Sequence, residues 1–130
     1  MERRRTFSGV SWETTVGYCR AIRVGDNIYV SGTGPIGSDG KVYAPGDAYA
    51  QTVFCLQRIQ KALQDLDCEC QDVVRTRLYV TDISRSDEYG KAHQEFFAKY
   101  HPASTMVEVR ALIDPEMLVE VEAEAICQPD

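Results

Sequence analysis

Along this chain the apolar residues Val53, Leu56, Ile59, Leu63 and Leu66 recur at steps of three and four, which predicts a helix over 47–66 with one buried stripe. Pro45-Gly46-Asp47 supplies its start. A second helix is predicted from Ser84, which can cap it, to about residue 100, burying Tyr89, Ala92, His93, Phe96, Phe97 and Tyr100. Between the helices the period changes to two: Val74, Thr76, Leu78 and Val80 share one face of a strand over 73–80, and Arg75, Arg77 and Tyr79 share the other.

The same period marks the ends of the chain. Residues 20–24 and 28–31 are β-prone runs around Gly25-Asp26-Asn27, which reads as a hairpin. Thr105, Val107, Val109 and Ala111 alternate with Ser104, Met106, Glu108 and Arg110. After the Asp114-Pro115 turn, Val119, Val121, Ala123 and Ala125 alternate with Glu120, Glu122 and Glu124. Two or three strands, helix, strand, helix, strand, strand is the order of an α+β sheet with both helices on one side. Tyr29, Tyr79 and Met106 are assigned to the other side. They are too apolar to face water together, so a homo-oligomer packing sheet against sheet is expected. Gly90 inside the second helix costs about 1 kcal/mol relative to alanine, which suggests close packing or a ligand nearby.

Composition narrows the function classes. At 130 residues the chain is read as one domain, residues 1–130. Fourteen basic against twenty acidic residues give a net charge of −6, which opposes binding to a phosphate backbone, so no nucleic-acid partner is expected. No apolar run reaches the roughly 18 residues of a membrane helix, and residues 1–7 carry arginines without an apolar stretch behind them, so no membrane partner and a cytoplasmic location are expected. The five cysteines, Cys19, Cys55, Cys68, Cys70 and Cys127, are irregularly spaced and read as free thiols. With only His93 and His101 beside a single Cys-x-Cys, no metal site is expected. Gly32-Thr33-Gly34 fits neither nucleotide fingerprint and reads as a loop approached closely by other backbone. His93 reads as a core histidine with a hydrogen-bond partner, the alternative being a cleft residue.

Four segments together resemble the RidA (YjgF-type) enamine/imine deaminase family: Ile28-Tyr29-Val30-Ser31-Gly32, Tyr79-Val80-Thr81-Asp82-Ile83, Pro102-Ala103-Ser104-Thr105-Met106-Val107-Glu108-Val109 and Val119-Glu120-Val121-Glu122-Ala123. The resemblance covers residues 17–126. It implies a chorismate-mutase-like α+β fold and a homotrimer whose sheets form an inner barrel, with three ligand clefts between subunits. It also implies cofactor-independent hydrolysis of reactive 2-enamine and 2-imine acids to 2-keto acids and ammonia. Such chemistry needs a cation for the substrate carboxylate, a carboxylate to orient and deprotonate a water, and donors for the tetrahedral intermediate.

Carried over residue by residue, the resemblance puts the water-orienting acid on Glu120, an aromatic cleft residue on Tyr18, and backbone or hydroxyl contacts on Ser31 and Gly32. The carboxylate clamp departs from the family: Ser104 stands where deaminating members carry arginine, and Met106 where many carry cysteine. A hydroxyl does not reproduce a charged fork worth about 1.5–3 kcal/mol, so small imino acids should bind poorly. Arg110 is about 20 Å from Ser104 along an extended strand. Arg20, two residues from Tyr18, is the candidate replacement, against the alternative of a solvated surface arginine. Arg75 and Arg77 are weaker candidates. Glu120, Glu122 and Glu124 at period two also fit a solvated rim. Two functions stay open: a deaminase whose small-metabolite substrate differs from that of arginine-bearing members, or a non-catalytic trimer that captures a small carboxylate or metabolite. The ribonuclease label attached to this family is opposed by the charge.

Overall fold

A computed structural model describes residues 1–128. Six strands form one sheet: β1 (Arg3–Thr6), β2 (Ala21–Val24), β3 (Asn27–Thr33), β4 (Val73–Val80), β5 (Ala103–Glu108) and β6 (Val119–Ile126), in the order β1-β2-β3-β6-β4-β5. All neighbours are antiparallel except β4 and β5, which run parallel with a helical crossover between them. Helices α1 (Ala48–Asp65) and α2 (Ser86–Phe97) share one core with the sheet. Among the described residues no helix is long and apolar enough to cross a membrane.

The α1 periodicity holds because the helix buries Cys55, Leu56, Ile59, Ala62 and Leu63 against the strands. Asp47 caps it, its carboxylate accepting from the Ala50 amide at 2.9 Å. Gln51, fully buried, accepts from the Leu118 amide at 2.8 Å and donates to the Glu116 carbonyl at 3.0 Å, fastening the turn that leads into β6. The second helix starts later than its predicted cap. Asp82 accepts from the Ser84 amide and opens a 3-10 turn over Ile83–Arg85, and α2 ends before Tyr100, which is exposed.

Several expectations are corrected. Arg3–Thr6 forms an edge strand that the arginine-rich terminus did not signal. On β4 a bulge opposite the end of β6 turns Val74 to solvent and buries Val73, so the predicted face holds only from Thr76 onward. On β5 the faces are exchanged. Parallel pairing sets Ser104 beside Thr76 and Met106 beside Leu78, both buried on the helix side, so Met106 packs on the core, whereas Val107 lies beside Tyr79 and is exposed. Met106 therefore does not belong to the open sheet face. The strand ends at Glu108, before Val109 and Arg110. Cys68 and Cys127 are not free thiols. The turn after α1 and the end of β6 bring their Cα atoms to 5.5 Å, and the sulfurs are joined in a disulfide.

Gly90 meets no close packing: a Cβ built there has nothing within 4 Å. Gly90→Ala is therefore expected to stabilise the protein by about 1 kcal/mol, read as a higher urea midpoint with unchanged slope. A lower midpoint would show that the glycine is required.

Candidate active site

The open face of the sheet carries Glu120, Glu122 and Glu124 on β6 opposite Tyr79, Arg77 and Arg75 on β4. Arg77 Nη1 lies 3.4 Å from Glu122 and 3.3 Å from Glu124, Arg75 lies 3.8 Å from Glu124, and the Tyr79 hydroxyl donates to Glu122 at 2.7 Å. The like charges at period two are thus compensated across the strand pair, not merely solvated. Arg75 and Arg77 are committed to that lattice. Glu120 faces Tyr79 instead of an arginine, and among the described residues its carboxylate has no hydrogen-bond or ion-pair partner. Burial pushes its carboxyl above the ordinary glutamate range, with Glu122 adding to the effect and Arg20 partly opposing it.

Glu120 opens into a cavity of about 240 Å³ together with Tyr18, Arg20 and Gly32. The β3 ladder to β6 shifts register between Val30 and Thr33, and this irregularity carries Gly32 past Glu120. A Cβ built on Gly32 would land on Glu120 Oε1, so only glycine leaves that carboxylate its present position. Ser31 sits at the same irregularity but points elsewhere, its hydroxyl donating to the Cys19 carbonyl at 2.8 Å.

The remaining wall is apolar and was not legible in the sequence. Val10, Trp12 and Val16 come from the segment that precedes β2, and Ile113 and Met117 from the turn that Gln51 fastens. The first segment is held by Glu13, whose buried carboxylate accepts from the Ser8 and Gly9 amides and from Arg20 Nε at 3.0 Å. Burial raises the Glu13 carboxyl, but the Ser8 and Arg20 hydrogen bonds, with the Gly9 amide and the Arg20 charge, outweigh it and leave the group below its ordinary value.

Arg20 is neither a solvated arginine nor a free clamp. It is 4% exposed, and its carbon stands 5.6 Å from the Tyr18 ring centroid. Nε and Nη2 engage Glu13, and Nη1 donates to the Gly32 carbonyl at 2.6 Å and to Thr33 Oγ1 at 3.1 Å. Of five N–H donors one remains, too few for a bidentate fork.

Ser104 and Met106 do not reach this cavity within the chain. Ser104 Oγ accepts from Thr76 Oγ1 at 2.8 Å, and the same Thr76 oxygen lies 2.8 Å from His93 Nε2, which gives the half-buried histidine its partner. Burial lowers the His93 pKa. Among the described residues no three His, Cys, Asp or Glu side chains gather as a metal-ligating group.

A family model described as Endoribonuclease L-PSP matches residues 9–127. The Streptomyces coelicolor protein SCO2049 is 35% identical over 122 residues, covering 94% of this chain and 90% of its own. A protein of Acinetobacter baylyi named 3-aminoacrylate deaminase RutC is 29% identical over 108 residues, covering 83% of this chain and 85% of its own. Among solved structures, Rv2704 of Mycobacterium tuberculosis, titled a member of the YjgF/YER057c/UK114 family, superposes with a TM-score of 0.87 at 46% identity, covering 96% of this chain and 99% of that one. With the family model, the curated relatives and the solved structure agreeing over most of the length, the chain belongs to the Endoribonuclease L-PSP family, that is, the YjgF/RidA family.

Proposed function

We propose that the chain is a cofactor-independent hydrolytic deaminase acting on a reactive enamine or imine metabolite. The observation that supports this reading most is Glu120: a carboxylate without a partner among the described residues, its pKa raised by burial, facing a largely apolar cavity. In the imine form, Glu120 takes a proton from water as the water oxygen attacks the imine carbon and the C=N π pair moves to nitrogen. The carboxylic acid gives that proton to nitrogen, forming a carbinolamine. Glu120 then takes the carbinolamine hydroxyl proton and passes it to the amine as the C–N bond breaks and the oxygen lone pair forms C=O, so ammonia and a carbonyl compound leave and Glu120 is a carboxylate again. A base with a raised pKa suits both halves of that cycle. The Acinetobacter baylyi relative named for 3-aminoacrylate, itself an enamine acid, supports the substrate class.

The assembly we propose is the homotrimer typical of the family. It would cover two features left bare in one chain: the β5 edge, exposed at Ala103, Ser104 and Thr105, and the open sheet face with Tyr29 at 51% exposure. Ser104, on that edge, then belongs to the interface side of the site, while Met106 supports it from the core. The proposed location is the cytoplasm, where the Cys68–Cys127 bridge meets a reducing environment.

The test couples an amino-acid oxidase to semicarbazide, which traps the imine. Protein-dependent loss of semicarbazone is expected for at least one amino acid, and no loss across the set of amino acids would reject the reading. In the same assay Gly32→Ala is expected to lose turnover by about 100-fold or more, because its methyl displaces the Glu120 carboxylate. Its thermal midpoint should stay near wild type, since only the end of a flexible side chain has to move. Full activity in that variant would mean that Glu120 does not act from its observed position.

A second reading, a non-catalytic trimer that binds a small carboxylate, is favoured by one observation: Ser104 is turned to Thr76 and offers no cation. Ligand-dependent thermal stabilisation without turnover would support it.

A further inference from the structure

The cavity contains a cation that neither the fold nor the Glu13 staple uses. Arg58 lies on α1, half-buried, with its guanidinium carbon 4.7 Å from the Phe54 ring centroid one turn earlier. Among the described residues it forms no ion pair and no side-chain hydrogen bond. Burial and the nearby Arg20 charge lower its pKa, while Glu13 raises it. A guanidinium stays charged in proteins, so this is a partly desolvated positive charge whose donors are unspent. It borders the Glu120 cavity and also two adjoining hollows, one beside Ser8 and Gln57, the other beside 36–40. It therefore stands where these spaces meet.

Arg20 and Arg58 divide two roles. Arg20 has one N–H left after Glu13, Gly32 and Thr33. Arg58 retains its full fork. The walls shared with Glu120 are Trp12, Val16, Ile36, Ile113 and Met117, which offer apolar contact and no further charge. A ligand that satisfies Arg58 must be an anion at one end, and one that fills the space must be apolar along its body.

We infer that Arg58 is the anion anchor of this cavity, and that it selects a small organic carboxylate with a branched or aromatic body over a two- or three-carbon acid. The inference rests on the reading of the cavity as the ligand site and names the substrate class for it. It does not depend on catalysis. The anchor comes from α1 of the same chain, whereas position 104 lies on the β5 edge.

The test is calorimetric titration of the intact protein with 4-methylpentanoate, 4-methylpentanamide and pyruvate. Wild type is expected to bind the carboxylate at least 10-fold tighter than the amide, and pyruvate more weakly than 4-methylpentanoate. Arg58→Gln should lose about 10- to 100-fold for the carboxylate, the loss of one charge-assisted contact, and clearly less for the amide, whose neutral carbonyl makes a weaker bond to the guanidinium. Arg58→Lys should fall between them, because it keeps charge without the fork. A thermal midpoint near that of wild type shows that the variant has folded. Equal carboxylate affinity in wild type and Arg58→Gln, no preference for carboxylate over amide in wild type, or pyruvate binding as tightly as 4-methylpentanoate would overturn the inference. Absence of semicarbazone loss with Arg58-dependent carboxylate binding intact would reject the deaminase reading alone.

Discussion

Replacing Glu120 with glutamine is expected to lower turnover by about 100- to 10,000-fold, the range for removing a positioned general base, while ligand binding persists. Its stability should move the other way. Burial raises the Glu120 pKa in the fold, so the folded state favours the protonated acid. The group's stabilising contribution is then full below the unfolded pKa and is lost as pH rises through the folded value. Above the unfolded pKa the fold carries the cost of the desolvated charge, so Glu120→Gln should raise the thermal midpoint at pH 7. The gain should vanish below the ordinary glutamate range, where wild type is also neutral. A dead variant with lower stability at pH 7 would attribute the lost activity to misfolding. A stable variant with full turnover would remove Glu120 from the mechanism.

Glu13→Ala is expected to destabilise the protein by about 3–5 kcal/mol, the cost of leaving one member of a buried ion pair without its partner. The Glu13 and Arg20 side chains are 2% and 5% exposed, so solvent does not replace the missing carboxylate. The loss also strands the Ser8 and Gly9 amides. The segment that carries Val10, Trp12 and Val16 should loosen, weakening ligand binding even where the sheet survives. The pH dependence is opposite to that of Glu120. The Glu13 pKa is depressed in the fold, so its contribution is present above the unfolded pKa and is lost as pH falls through the folded value. Urea denaturation at pH 7 and pH 4 measures both effects. A cost below about 1 kcal/mol would place the pair with exposed salt bridges.

Regular periodicity made much of this fold legible. The α1 stripe and the inward set Val119, Val121, Ala123 and Ala125 appear where the pattern puts them, because each faces one continuous core. The β5 faces were not legible. Ser, Met and Glu against Thr and Val is a weak alternation, and the parallel neighbour β4, unseen in local sequence, decides which set is buried. The Val73/Val74 reversal follows from a bulge, which adds a residue to one strand and breaks the period there.

The site divides in the same way. Tyr18, Arg20, Gly32 and Glu120 line one cavity, whereas Ser31, Ser104 and Met106 do not. Arg58 and Glu13 carry no local signal: the first is a polar position on an amphipathic helix, the second an acid in an irregular segment. What sets them apart is which partners they lack or hold, and tertiary contacts alone decide that. The Cys68–Cys127 pair is similar, since 59 residues of chain separate two sulfurs that only the meeting of α1 and β6 brings together.

The protonation state of Glu120 is directly readable by carbon-13 NMR of its side-chain carboxyl across pH 3–9 in the intact protein. A desolvated carboxylate with no cation paired to it among the described residues, poised over Gly32, predicts a titration midpoint above that of ordinary glutamate. A midpoint at or below the ordinary value would mean that the carboxylate is solvated or paired, and that the cavity holds no base of the kind described.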